Sequence, residues 1–454
     1  MDSSIGRIAD YTSNLRFTDL STDVVHDCKR RLLDTVGCGL AAFDAEPSRI
    51  ARTLAMRASM NNAGAHVLGT SHRTLPELAA FANGVMARYI EGNDTYPGGG
   101  GHPSDVITPV LAVVESTGAS GKMAITAITL AYETYHALFR AAIVRERGLD
   151  HVFYTAVASA AGAAKVLELD RGQIGNAIAL AVTPNLALHA TRRNDLSMWK
   201  GCAAGNAARN GVFAALLAAE GMTGPDQAIE GSDGLRQLLG KFELTPFAGE
   251  GRPFRITQAS MKYFLSEYHS QAPITAALQM HKQVAAKDID KVTIYTYWFT
   301  WSEIGSEPEK WHPTTREAAD HSLPYMIAAV LIDGRYSDEI YAPERLRDPE
   351  IHQLADRISI KEDAELTRRF PRDLACRIEV ITKSGERKVA TVDSPRGHVN
   401  NPMSDEEVNE KFRSLAGRAL PKERIERALG RFWKLDEAAE LGGIFDAVQV
   451  DGES

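Results

Sequence analysis

The chain has 454 residues, 44% of them apolar and 24% charged, with a formal net charge of −8. That length exceeds what one hydrophobic core usually supports and implies two domains. Only 7% of residues are aromatic, glycines number 36 and alanine-rich runs abound, which argues against an all-β fold and for closely packed helices.

The acidic balance, with no basic stripe to offset it, excludes a nucleic-acid partner. The first residues, MDSSIGRIADY, lack the pattern of a signal or transit peptide, so a cytoplasmic location is expected. Residues 172–191 lack formal charge over about the length of a membrane span. Gln173, Asn176, Pro184, Asn185 and His189 make them a buried soluble segment instead, so no membrane partner is expected. Cys28, Cys38, Cys202 and Cys376 are scattered, with no C-x-x-C and no metal-finger spacing. They read as buried thiols in a reducing compartment, and they exclude an iron–sulfur cluster.

Taken in chain order, the first half is helical. Thr22 and Asp23 cap a run in which Val25, Cys28, Leu32, Leu33, Val36 and Leu40 recur at helical spacing. Further helices are predicted at 47–58, 76–90, 106–117, 122–146, 153–166, 171–190 and 203–220. Small residues all round several of them allow close backbone approach. After residue 258 the texture changes: KVTIYTYW, RISIKED and CRIEVITKSGERKVATV read as strands, the last as a hairpin around Ser384-Gly385. Helical patterns at 269–285 and 320–334 lie between them. From residue 404 the chain is helical again, with a capping box from Ser404 to Glu407, a staple from Met403 to Val408 and a second helix over 422–438. The expected fold is mainly α. A large all-helical domain is built from both chain ends (1–258 and 401–454), with a smaller α+β domain inserted (259–400).

Nucleotide and hydrolase signatures are missing: GASGKM lacks P-loop spacing, and no G-x-G-x-x-G, H-E-x-x-H or G-x-S-x-G is present. The informative segment is EGNDTYPGGGGHPSD, residues 91–105. The glycine run Gly98 to Gly101 gives a loop of low stiffness, followed by His102 and Ser104 at the start of an apolar helix. A carboxylate could bind at that helix start, with Ser104 as a contact and His102 as proton donor or acceptor; Asp94 or Glu91 could orient the histidine. A flexible surface loop with an incidental histidine is the other reading of these residues.

Lys200 opens a helix of small residues, WKGCAAGNAARNG, and is the only charge between Asp195 and Arg209. Entering a buried helix it needs an anionic partner, for which a substrate would serve; otherwise it sits exposed at the helix start. Lys262, His269 and Gln271 precede a helix where the domains change, and Asp320, His321, Ser322 and Tyr325 lie on or before another. His151 stands in RGLDHVFYTA. Singly, these histidines and Tyr325 also suit a purely structural role.

In this order, the segments RLLDTVGCGLAAF, NDTY…GHPSD, LSMWKGCAAGNAARNGVFAALLAAEGMTGP, K-Y-F…E-Y-H-S-Q-A and DHSLPYMIAAVLIDG resemble the MmgE/PrpD family. That family includes 2-methylcitrate dehydratase, cis-aconitate decarboxylase and iminodisuccinate epimerase. The resemblance implies a helical domain with an α+β lid, a homodimer and a site between the domains that uses neither cofactor nor metal. It implies catalytic roles for His102, Lys200, His269, Tyr325, Asp94 and His151. Substrate contacts would come from Glu91, Lys262, Gln271 and Ser104.

The chain departs from this pattern at three places. Glu91 stands where relatives commonly have aspartate, Leu265 stands where the lid lysine motif usually has proline, and the loop carries four glycines. Gln271, a histidine in decarboxylase-like members, points to the dehydratase branch. The expected activity is dehydration of a small tricarboxylic hydroxy acid of the 2-methylcitrate type. Epimerisation, decarboxylation of a related acid and non-catalytic carboxylate binding are the alternatives.

Overall fold

The structure, a computed structural model, describes residues 1–61, 63–98, 101–193, 196–249 and 251–450. It is mostly helical, as expected. The long helices of the first half are α1 (Ser3–Asn14), α2 (Thr22–Ala41), α3 (Glu46–Ala55), α4 (Pro76–Tyr89), α5 (Ile107–Thr117), α6 (Gly121–Ala141), α7 (Val152–Val166), α8 (Arg171–Val182) and α9 (Trp199–Ala219). Ser21, not Thr22, caps α2, its hydroxyl accepting the Val24 N–H. The helix predicted over 171–190 stops at Val182, just ahead of Pro184, which has no N–H to continue the helical hydrogen-bond ladder and whose ring crowds the preceding turn. The helix predicted over 122–146 ends at Ala141, and α1 has no counterpart in the sequence reading. No helix among the described residues is long and apolar enough to cross a membrane.

Two apolar cores account for most buried side chains. The first draws on residues from Ile5 to Met261 and again on Met403 to Val448. Its late members include Val408, Phe412 and Ala416 on α12 (Asp405–Ala416) and Ile425, Ala428, Leu429 and Phe432 on α13 (Lys422–Trp433). The chain re-enters this core through the anticipated capping box: Ser404 Oγ accepts the Glu407 N–H and Glu407 Oε2 accepts the Ser404 N–H. Met403 and Val408 are both buried there.

The second core runs from Ala272 to Val392. It lies between α10 (Gln271–His281), α11 (Leu323–Asp333) and a sheet of β1 (Ile289–Thr296), β2 (Ile358–Glu362), β3 (Cys376–Thr382) and β4 (Arg387–Val392). Strand order is β2-β1-β3-β4. β1 pairs parallel with β2, Val292 opposite Ile358, and antiparallel with β3, Val292 opposite Val380. Alternation along β3 buries Cys376, Ile378 and Val380 on one face, the period-two pattern of a strand with one face turned to the core.

Where small residues meet, helices touch backbone to backbone. A Cβ on Gly205 of α9 would lie 2.7 Å from the Phe81 carbonyl oxygen of α4, and one on Gly84 would lie 2.8 Å from Gly205 Cα. Only glycine permits this approach, and it brings the N-terminal end of α9 against the C-terminal end of α4. The residues that follow from this placement build the site.

Candidate functional site

Arg88 lies in the last turn of α4, and the chain then turns at Glu91, a non-glycine residue held at φ 56°. Such a conformation costs on the order of 1–3 kcal/mol and persists only when its surroundings impose it. Three cations do so. Glu91 Oε1 lies 2.8 Å from Arg88 Nη1 and 3.1 Å from Lys200 Nζ, and Oε2 lies 2.9 Å from Lys262 Nζ. Lys262 Nζ also donates to the Glu91 carbonyl at 2.9 Å. Burial alone would raise the Glu91 pKa, but Arg88, Lys200 and Lys262 outweigh it and hold the carboxyl well below its usual range.

Lys262 reaches this point because Thr95 and Ser260 pair as a two-way backbone bridge, Ser260 donating at 2.7 Å and Thr95 at 2.9 Å. Lys200 was expected to find its partner in an anionic substrate. It finds two in the protein instead, Glu91 and Asp320, whose Oδ1 is 2.9 Å away. It therefore stands behind Glu91 and does not line the cavity. His321, on the cavity side, has Nδ1 2.5 Å from the same Asp320 oxygen and 3.3 Å from Lys200 Nζ.

Between this cluster and the segment after Ser260 lies a cavity of about 350 Å³, the size of a small-metabolite site. Its walls include Arg88, Glu91, His102, His151 and Arg192 on one side and Lys262, Glu267, His269 and His321 on the other. Gly99 and Gly100 of the glycine run lie outside the described residues, as does Asp195. Gly101 has φ 103°, and a Cβ there would meet the Tyr135 hydroxyl at 2.4 Å. The loop end is thus tightly fitted at His102, where the sequence alone left a flexible loop open.

His102 Nδ1 is 2.7 Å from the Asp94 carbonyl oxygen. A carbonyl only accepts, so Nδ1 carries the proton and Nε2 offers a lone pair. Burial, then Arg88 and Lys262, push the His102 pKa well below the ordinary imidazole value, which keeps the ring neutral. Asp94 orients the histidine through its backbone and not through its carboxylate. That carboxylate is engaged elsewhere, accepting the Ser104 N–H at 2.9 Å and the Tyr132 hydroxyl at 2.8 Å. Ser104 Oγ accepts from Asn93 Nδ2 at 3.2 Å. Asp94 and Ser104 fasten the loop to its surroundings, and neither lines the cavity.

His151, just ahead of α7, has its ring 5.6 Å from that of His102. Asp150 Oδ1 is 3.1 Å from its Nδ1, and burial with Arg192 pushes its pKa down to about 3. His269 Nδ1 lies 2.6 Å from the Tyr297 hydroxyl, its ring stacks on Phe299, and burial brings it to about 3 as well.

Two expected lid-side contacts are placed elsewhere. Tyr325 is buried in the second core, its hydroxyl donating to the Ile340 carbonyl at 2.5 Å, so it does not reach the cavity. Gln271 accepts the N–H groups of Tyr263 and Phe264 and donates to the Phe264 carbonyl and Ser266 Oγ. All its hydrogen-bonding capacity goes into holding the segment that carries Lys262.

Sequence reasoning gave no role to Arg88, Glu267 or Arg192. Arg88 had a signal, as a lone charge in the apolar run VMARYI. Among the described residues no three His, Cys, Asp or Glu side chains are grouped to hold a metal ion. Cys28, Cys38 and Cys376 are buried free thiols and Cys202 is half-buried.

This geometry coincides with a sequence likeness. The MmgE/PrpD N-terminal domain model matches residues 6–245 and the C-terminal domain model residues 264–435. The 2-methylcitrate dehydratase of Salmonella typhimurium is 30% identical over 94% of this chain and 93% of its own length. That of Escherichia coli is 29% identical with the same coverage. The cis-aconitate decarboxylase of Homo sapiens is 26% identical over 91% of this chain and 87% of its own. The chain belongs to the MmgE/PrpD family. Within that family it is a lyase.

Proposed function

We propose that the protein dehydrates a small tricarboxylic hydroxy acid of the 2-methylcitrate type, using its own side chains alone. The observation that carries this reading is a neutral His102 with an available Nε2 on the same cavity as the buried ammonium of Lys262. Elimination of water requires removal of a weakly acidic proton α to a carboxylate, together with stabilisation of the charge that develops on that carboxylate. His102 Nε2 takes the proton. Lys262 has given two N–H groups to Glu91 and has a third for the substrate oxygen. Arg192, whose Nε is 2.9 Å from Asp150, meets a remote carboxylate.

Lys200 is a positioning residue here, holding Glu91 and through it Lys262. His151 packs beside His102 and supports it. The departing oxygen needs a proton from the opposite wall, where His269 and Glu267 stand. In this reading the residues around the second core act as a lid over the cavity, and two copies of the chain form a homodimer.

Proton NMR in deuterated water with citrate, 2-methylcitrate, cis-aconitate and iminodisuccinate tests the proposal. A new alkene from 2-methylcitrate is expected. Solvent deuterium entering iminodisuccinate without an alkene would make the protein an epimerase. Loss of carbon dioxide from cis-aconitate would make it a decarboxylase, and thermal stabilisation with no product would leave a binding protein.

A further inference from the structure

Of the carboxyl groups that line the cavity, Glu91 and Glu267 sit in opposite surroundings. Glu91 has three cations within 3.1 Å. Glu267, also on the cavity wall, makes no ion pair with any lysine or arginine among the described residues; its neighbour in ion-pair range is His269, with Nε2 3.9 Å from Oε1. Glu267 Oε2 accepts the His269 backbone N–H at 2.6 Å. Oε1 has no hydrogen-bond partner among the described residues. The backbone of Glu267 is fixed, its N–H donating to the Asp320 carbonyl and its carbonyl accepting from Ser270.

We propose that Glu267 is the acid that protonates the departing hydroxyl, a step that rests on the dehydration reading above. His102 Nε2 takes the α-proton and the C–H electron pair moves onto the adjacent carboxylate beside Lys262, then returns to form the new C=C bond. The C–O pair leaves with the oxygen, which receives the proton from Glu267 Oε1 and departs as water. The proton on His102 then returns through solvent to the Glu267 carboxylate. Nothing is oxidised or reduced.

Burial pushes the Glu267 carboxyl up, with His321 and Lys262 only partly opposing it. Two carboxyls driven apart by their environments mark an acid and a fixed anion, and here the acid is the one without cations. His269 is the rival donor. Its ring is neutral, and the N–H of a neutral imidazole is a far weaker acid than a carboxyl group.

The test is Glu267→Gln in the full chain, with 2-methylcitrate and with its analogue carrying fluoride in place of the departing hydroxyl. Fluoride leaves without being protonated. The variant should lose elimination from the hydroxy acid by about 10²–10⁴-fold and from the fluoro analogue by less than about tenfold. It should keep α-proton exchange with deuterated water. Glu267→Asp, which retains the acid, should recover activity on the hydroxy acid, and the alkaline fall of the wild-type pH profile should be missing for the fluoro analogue.

Equal losses on both substrates would show that Glu267 only positions His269 and would overturn the proposal, as would full activity on the hydroxy acid. Wild-type turnover of 2-methylcitrate is read first. Failure there removes the dehydration reading itself, whereas failure confined to the variants removes only the role of Glu267.

Discussion

The floor and the rim of the cavity are built from the same kinds of ion pair and do different work. At the floor, the side chains of Glu91, Lys200, Lys262 and Asp320 are at most 3% exposed. At the rim, Arg145 pairs with Glu303 and Arg193 with Glu307, at exposures between 25% and 50%. Two unit charges about 4 Å apart interact by about 4 kcal/mol at an effective dielectric of 20 and by about 1 kcal/mol in water. Floor pairs therefore fix geometry, and a buried charge left alone there is penalised. Rim pairs are screened and exchangeable, and they bridge chain segments on opposite sides of the entrance.

The largest expected effect comes from the base that hangs over the floor. His102→Asn should lower kcat by about 10²–10⁴-fold, with an unchanged melting temperature, because asparagine keeps the loop contact and removes the basic nitrogen. Since burial and neighbouring cations hold His102 neutral well below the usual imidazole range, the wild-type activity on the acid side should persist below pH 6.5. An acid limb at or above that value would contradict the neutral base.

Next comes the floor network. Lys200→Met removes the only lysine on Asp320 among the described residues, leaving that carboxylate to His321, and takes one of three cations from Glu91, so urea denaturation should show a loss of about 3–5 kcal/mol. Arg193→Met at the rim should cost about 0–1 kcal/mol. Equal losses would erase the distinction between the two regions. The pH dependence follows from Glu91. Its folded pKa is depressed, so its stabilisation is fully present above pH 4.5 and is lost as pH falls through the folded value. The acid-side loss of stability in the wild type should be shallower in Glu91→Gln.

How far the site could be read in advance follows the range of its interactions. Glu91, His102 and Lys200 announce themselves locally, as charges or imidazoles beside a glycine run or a small-residue helix, and Lys262 does so by preceding a helix where the texture of the chain changes. Their roles do not. Lys200 meets Asp320 across 120 positions, a pairing that no local pattern encodes. Tyr325 sits on an apolar helix, where periodicity signals burial without saying against what. Glu267 in SEYHS looks like any solvated glutamate, because its meaning depends on which cations the fold brings near and which it withholds. The helix boundaries slipped where propensity runs past a stop such as Pro184, while the β3–β4 hairpin and the Ser404 cap were legible because their signals are contained in a few adjacent residues.

The smallest expected effect is at the rim, and it concerns binding more than stability. An incoming polycarboxylate competes with Glu303 and Glu307 for Arg145 and Arg193, both of which line the cavity. Exchange of one carboxylate for another nearly conserves charge, so the pairs can open without stranding an arginine. Glu303→Gln with Glu307→Gln should therefore leave kcat unchanged and lower KM by about two- to fivefold, corresponding to less than about 1 kcal/mol for exposed pairs. Screening acts on substrate and glutamate alike, so the advantage should shrink as salt is raised from about 0.01 M to 1 M, where the Debye length falls from about 30 Å to 3 Å. A KM that rises in the double variant would mean that the glutamates organise the arginines for substrate and do not compete for them.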